Sequence, residues 1–246
     1  MKIFRYLATN CINSSFCLRC AILVLTSSLL AATGTATLRA QRGSSIPEEI
    51  EWTWGVRPLH PNPTLPNVLL LGDSITRNYF PQVTKDLADV ANLYLMSSST
   101  SVGDPRLPHQ IAEFSAMQHV RFRVVHFNNG MHGWAYTEEQ FRAAFPDLLR
   151  SVRKLIKPDG TAVWATITPV KADATGGATN PRIDARNSIA ASLVQAEGIA
   201  VDDQHALMMQ HLDRYQDSVH FNPEGSAFQG DQAAETIKTA LTHLHR

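Results

Sequence analysis

Four consecutive apolar residues, Val68-Leu69-Leu70-Leu71, run directly into Gly72-Asp73-Ser74. A short apolar run with a proline-rich entry and a Gly-Asp-Ser exit predicts a strand buried on both faces, and such strands belong to parallel sheets covered by helices. Ser74 then stands where a central strand ends, at the edge where open α/β sheets hold their ligands. Gly72 permits a sharp turn, and a following helix would leave the Ser74 amide near a helix N-terminus, where it can donate to a developing oxyanion. A serine so placed can be a nucleophile, although Gly-Asp-Ser also serves as ordinary turn and N-cap chemistry. Asp73 is read as fixing the turn.

The rest of the chain alternates in the same manner. Tyr79, Phe80, Val83, Leu87 and Val90 recur at helical spacing and predict a helix from Asn78 to Asp89; Asn92 to Met96 reads as a second strand. A helix over Pro108 to Met117 leads to a third strand, Val120 to Phe127. A capping box at Thr137 to Gln140 opens a long helix that Pro158-Asp159-Gly160 is expected to close. Ala162 to Thr168 and Ile199 to Val201 supply the fourth and fifth strands, with a helix from Ile183 to Glu197 between them. Shorter and longer helices follow at Ala206 to Leu212 and Ser226 to His243. Strands alternating with helices, without hairpin signals, imply one α/β domain with a parallel sheet sheathed on both faces. The long loop from Pro169 to Pro181 is suited to act as a lid or a substrate-selecting wall.

The ends are of a different character. Lys2, Arg5 and Arg19 precede an apolar run from Cys20 to Ala32, followed by small residues and possible cleavage points after Ala36 or Ala40. Residues 1–40 therefore read as a signal peptide for secretion or export to the periplasm. The run falls short of the roughly 20 apolar residues that span a bilayer, so no stable membrane span is expected in the mature form, with an uncleaved anchor as the alternative. All three cysteines lie in this leader, which leaves the domain no disulfide, thiolate metal site or cysteine nucleophile. Residues 41–66, with Pro47, Pro58, Pro61, Pro63 and Pro66, should form an extended arm in which Trp52 and Trp54 pack on the core or line a binding surface. With 22 basic and 22 acidic residues and no basic run, the footprint of a nucleic-acid binder is missing.

A second stretch, Asp217-Ser-Val-His-Phe-Asn-Pro-Glu-Gly225, gives Ser74 a partner. Asp217 lies three residues before His220, close enough for its carboxylate to hold Nδ1 and turn Nε2 outward to take a proton from a serine. Leu71-Gly-Asp-Ser-Ile-Thr76 and Asp217 to Gly225, in this order and with a terminal helix after them, resemble the first and last blocks of the SGNH, or GDSL-like, hydrolase superfamily. The resemblance extends over residues 67–246, roughly Asn67 to His243 being covered by recognisable elements. It implies a three-layer α/β/α sandwich with a flavodoxin-like, five-stranded parallel sheet, a serine esterase mechanism, and neither cofactor nor metal.

Carried over by position, Ser74 is the nucleophile, His220 the general base and then acid, and Asp217 the group that orients His220. The family's oxyanion hole combines the serine amide with a loop glycine, here Gly103 in Thr100-Ser-Val-Gly-Asp104, and an asparagine side chain. The chain departs from the family at this third donor, where Asn128-Asn-Gly-Met-His-Gly133 replaces Gly-x-Asn-Asp. Asn129 is taken as the donor because an amide donates at any pH; His132 is the alternative. A histidine base must be neutral, so activity is expected to rise through about pH 6 to 7, where an ordinary histidine titrates. The resulting expectation is a secreted esterase that removes small acyl groups, acetyl above all, from carbohydrates. A noncatalytic carbohydrate-binding or surface-interaction domain, a lipase and an acyltransferase are the alternatives. Of the other histidines, His205 is read as part of a structural turn, and His126 shows no ligand spacing.

Overall fold

The computed structural model describes residues 43–172, 174 and 176–243. The predicted signal peptide lies outside them. The elements run β1 (Thr53–Val56), β2 (Asn67–Gly72), α1 (Ser74–Asp86), β3 (Asn92–Ser98), α2 (Leu107–Gln118), β4 (Phe122–Phe127), α3 (Glu138–Leu155), β5 (Ile156–Ala165), α4 (Asn180–Ala196), β6 (Ala200–Asp202), α5 (Gln204–Met209) and α6 (Pro223–His243). Among the described residues they form one six-stranded sheet in the order β1-β3-β2-β4-β5-β6.

Strands β2 to β6 are mutually parallel. Their arrangement is the doubly wound, flavodoxin-like order, and it reverses between β2 and β4, the crevice where such sheets take ligands. Alternation along β2 builds two cores at once. Leu69 and Leu71 join Tyr94, Phe127 and Trp164 beneath α2, α3 and α4, while Val68 and Leu70 face the opposite layer made by α1 and α6. Burying both faces of the central strands is what their continuous apolar runs required.

Three boundaries differ from expectation, each for a local reason. The sheet has an additional edge strand: Thr53–Val56 of the proline-rich segment pairs antiparallel with Val56 opposite Leu95 and Thr53 opposite Ser98. The prolines flank this short piece and leave its amides free to pair. Helix α1 starts at Ser74, four residues earlier than predicted, because the Asp73 carboxylate accepts the Ile75 amide at 3.0 Å and caps it there. Helix α3 ends at Leu155, and 156–160 already belong to β5, entering through a register shift opposite Phe122 to Val124. Gly160 fits that irregular approach, since a β-carbon there would meet the Arg123 carbonyl at 2.7 Å.

A buried polar knot joins the strand ends below the crevice. Asp202 receives hydrogen bonds from His126 Nε2 at 2.8 Å, Gln204 Nε2 at 2.9 Å and Gln232 Nε2 at 2.6 Å. Burial pushes its carboxyl up, but the His126 ring and the two amides outweigh burial and hold it below the ordinary carboxylate range. A depressed carboxylate adds stability above its unfolded pKa and loses it as pH falls through the folded value. Asp202→Asn should therefore cost about 2–3 kcal/mol near neutrality, with the gap to the parent closing below about pH 4. Urea unfolding from pH 7 to pH 3 tests this, and a gap that stays constant would contradict it.

Candidate active site

Two motifs distant in sequence meet at the β2 end of the crevice. The Ser74 hydroxyl, on a residue only 8% exposed, lies 2.8 Å from His220 Nε2. His220 Nδ1 lies 2.8 Å from Asp217 Oδ2. A carboxylate can only accept, so Nδ1 carries the proton and Nε2 is left to accept from the serine. The other Asp217 oxygen receives the amides of Val219 at 2.8 Å and His220 at 2.7 Å, which makes the loop a compact turn closed by the same side chain. Burial pushes the Asp217 carboxyl up, yet these two amides and the His220 ring hold it below its ordinary value, so it remains ionised at neutral pH. With its side chain 49% exposed, the pair contributes little to stability; what it supplies is ring orientation.

Glycine is required at the turn before the serine, because a β-carbon on Gly72 would lie 2.0 Å from the Thr76 hydroxyl. The adjoining loop is equally constrained. Asn129, 5% exposed, accepts the Val102 amide through Oδ1 at 2.9 Å and donates Nδ2 to the Thr100 carbonyl at 2.9 Å. Those partners fix the amide's orientation and leave one of its two N–H bonds over. Gly103 follows directly, where a β-carbon would strike the Tyr136 ring at 2.5 Å. Among the described residues, neither the Ser74 nor the Gly103 amide donates to a backbone carbonyl. Asn129, from the segment after β4, thus braces the loop after β3 that carries Gly103, and His132 stands three residues further along Asn129's own segment, on the other side of Gly130.

Glu48, Arg77 and Arg186 escaped the sequence reading, which marks Trp52 as packing on the core or lining a binding surface. Glu48 receives His132 Nδ1 at 2.8 Å and the Gly133 amide at 2.8 Å. Trp52 packs edge-on to the His132 ring at 5.9 Å and exchanges hydrogen bonds with Ser99. Arg77, one turn along α1 from Ser74, stacks on Trp52 at 4.9 Å and Trp54 at 5.6 Å. Arg186, 1% exposed, donates to the carbonyls of Gly130, His132, Gly133 and Tyr136. None of these has a local spacing that betrays it. The Pro169 to Pro181 loop is tied beside the site by the Lys171 amide, which donates to the Ser218 carbonyl at 3.0 Å. His205 braces the backbone, with Nδ1 2.9 Å from the Ile167 carbonyl oxygen. Among the described residues, no three His, Cys, Asp or Glu side chains cluster as metal ligands, and no helix is long and apolar enough to cross a membrane.

No protein-family model and no curated protein sequence matches the chain. Solved structures do match. A carbohydrate esterase family 3 protein from Talaromyces cellulolyticus superposes with a TM-score of 0.59 at 16% identity, covering 73% of this chain and 99% of its own. A member of the lipolytic protein G-D-S-L family from Veillonella parvula gives 0.56 at 15% identity, over 70% and 98% of the two chains. An acetylxylan esterase from Geobacillus stearothermophilus gives 0.54 at 15% identity, over 70% and 94%. The chain therefore has the α/β/α fold of the GDSL and SGNH hydrolases.

Proposed function

We propose that the chain is a serine esterase that removes small acyl groups, chiefly acetyl, from carbohydrates outside the cytoplasm. The observation that carries this reading is the series of two 2.8 Å contacts linking Ser74 to His220 and His220 to Asp217. In the reaction, Ser74 Oγ attacks the ester carbonyl carbon while its proton passes to His220 Nε2. The amides of Ser74 and Gly103 and the remaining Asn129 N–H stabilise the oxyanion, and each such donor is worth about 2.7–4 kcal/mol of barrier. His220 then gives its proton to the departing sugar oxygen. The same base activates water, which releases the carboxylic acid and restores the serine.

The carbohydrate assignment is supported by Trp54, whose residue is 52% exposed beside the Arg77 stack, and by the esterases among the structural neighbours. Indole faces suit the apolar faces of sugar rings. Export rests on the leader. Purified protein should release p-nitrophenol from the acetate ester at least about tenfold faster than from the octanoate, and free acetate from acetylated xylooligosaccharide. Inertness toward every ester, or acyl transfer to a sugar acceptor without free acid, would overturn the reading.

A further inference from the structure

The site contains a second carboxylate–imidazole pair that the mechanism above leaves unused. His132 Nδ1 is bonded to Glu48, while Nε2 is buried and has no hydrogen-bond partner among the described residues. A buried polar nitrogen without a partner is uncommon enough to require an explanation. Glu48 comes from the segment ahead of the sheet and reaches across 84 positions of sequence. Its other oxygen takes the Gly133 amide, so one side chain fixes both the ring and the backbone beside it. Trp52 closes the edge of the ring, and Arg186 holds the His132 carbonyl from below.

We propose that Glu48 and His132 supply an additional, positively charged oxyanion contact: Glu48 positions the ring through Nδ1, and His132 Nε2–H donates to the oxygen of the tetrahedral intermediate. The inference rests on the esterase reading and adds a catalytic residue, His132, and a positioning residue, Glu48, to it. Asn129, with its oxygen and one N–H committed to the Gly103 loop, braces the amide donors, and the imidazolium strengthens the site where charge develops.

Protonation decides whether the contact exists. With Nδ1–H directed at Glu48, a neutral ring presents only a lone pair at Nε2; the imidazolium alone donates there. Burial pulls the His132 pKa down, but the hydrogen bond to Glu48 and the charges of Asp73 and Glu48 outweigh burial and raise it above the ordinary histidine value. Geometry ties the ring to the nucleophile's helix: Trp52 lies 5.9 Å from the His132 ring and 4.9 Å from the guanidinium of Arg77, one turn along α1 from Ser74. The charged groups around it are thus Glu48 from the proline-rich segment, Asp73 from the β2–α1 turn, and Arg186 from α4 on the backbone side. Because the folded pKa is raised, the donor is present at low pH and disappears as pH rises through that value.

The test compares the full-length parent with Glu48→Gln, His132→Phe and Ser74→Ala, using p-nitrophenyl acetate over pH 5 to 10. His132→Phe should lower kcat by about 10²-fold with little change in KM. Glu48→Gln should move the alkaline limb of kcat to lower pH by roughly one unit, a shift that loss of packing alone would not produce. Melting temperatures identify any variant that is simply misfolded, and His132→Gln, which keeps an N–H donor, should recover part of the loss. A parent-like kcat in His132→Phe, or an unmoved alkaline limb in Glu48→Gln, overturns the inference. A parent that hydrolyses no ester overturns the esterase reading with it, whereas an active parent silenced by Ser74→Ala and indifferent to both other changes leaves that reading standing alone.

Discussion

Replacing Ser74 by alanine is expected to reduce ester hydrolysis by at least about 10⁴-fold while leaving the fold intact. The magnitude follows from the chain of contacts. Among the described residues the Ser74 hydroxyl is the side-chain group within hydrogen-bonding distance of His220 Nε2, at 2.8 Å, and without Oγ the imidazole loses the nucleophile it serves. Water can still attack with help from the Ser74 and Gly103 amides, so residual activity near the oxyanion-hole level is expected in place of none. The residue packs with only a hydroxyl at the crevice, and alanine at the first position of α1 keeps the Asp73 cap; stability should change by less than about 1 kcal/mol. Steady-state kinetics and a melting curve check both halves. An active, normally folded Ser74→Ala protein would contradict the assignment.

The second large effect should come from Arg186, a residue without a chemical role. Its guanidinium lies at 1% exposure under the 130–136 loop, bonded to four carbonyls at 3.0 to 3.2 Å, with the Trp134 ring 4.0 Å away and Glu138 at 3.6 Å from Nε. Arg186→Met retains most of the side-chain volume but removes every donor. The Gly130 and His132 carbonyls would then lack partners, whereas Gly133 keeps the Tyr136 amide and Tyr136 keeps Arg182, and with the buried cation lost the expected cost is about 3–5 kcal/mol. That corresponds to roughly 10 °C in melting temperature for a domain of this size. The loop holds Gly130 and His132, so a 1 Å displacement should also lower kcat by about 10²-fold in the fraction that remains folded. Urea midpoints and kinetics below the melting range measure the two effects; a loss under 1 kcal/mol would show that the loop holds itself.

What could be read from the sequence follows the distance over which each feature is determined. Val68 to Leu71 announced itself as a buried strand because burial on both faces leaves a continuous apolar run, and Val120 to Phe127 was legible as a strand from its aromatic and β-branched residues despite Arg123 and His126. Ser74, Asp217 and His220 were legible because each motif is local, and only their meeting depends on the fold. The start of α1 was misplaced because Asp73 acts as an N-cap in a stretch that also reads as a turn. The edge strand at Thr53–Val56 was hidden among prolines that restrict its neighbours and not the strand itself. Glu48 and Arg186 gave no signal, and Trp52 only that of an arm residue able to pack or line a surface, since an acid, an indole and a cation acquire their roles from groups 47 to 85 positions away. The same holds for Asn129 against His132: both were visible as polar residues after β4, but their different hydrogen-bond commitments were not.

The central claim is that the Ser74 oxygen becomes covalently bonded to the substrate's acyl carbon with His220 as its base. Incubation with a serine-reactive phosphonate, followed by intact-mass measurement and peptide mapping, tests it most directly. The account predicts one adduct per chain on the peptide containing Ser74, formed at least about 10²-fold more slowly in His220→Ala and absent in Ser74→Ala. An unmodified Ser74 in protein that hydrolyses esters, or an adduct of equal rate without His220, would contradict it.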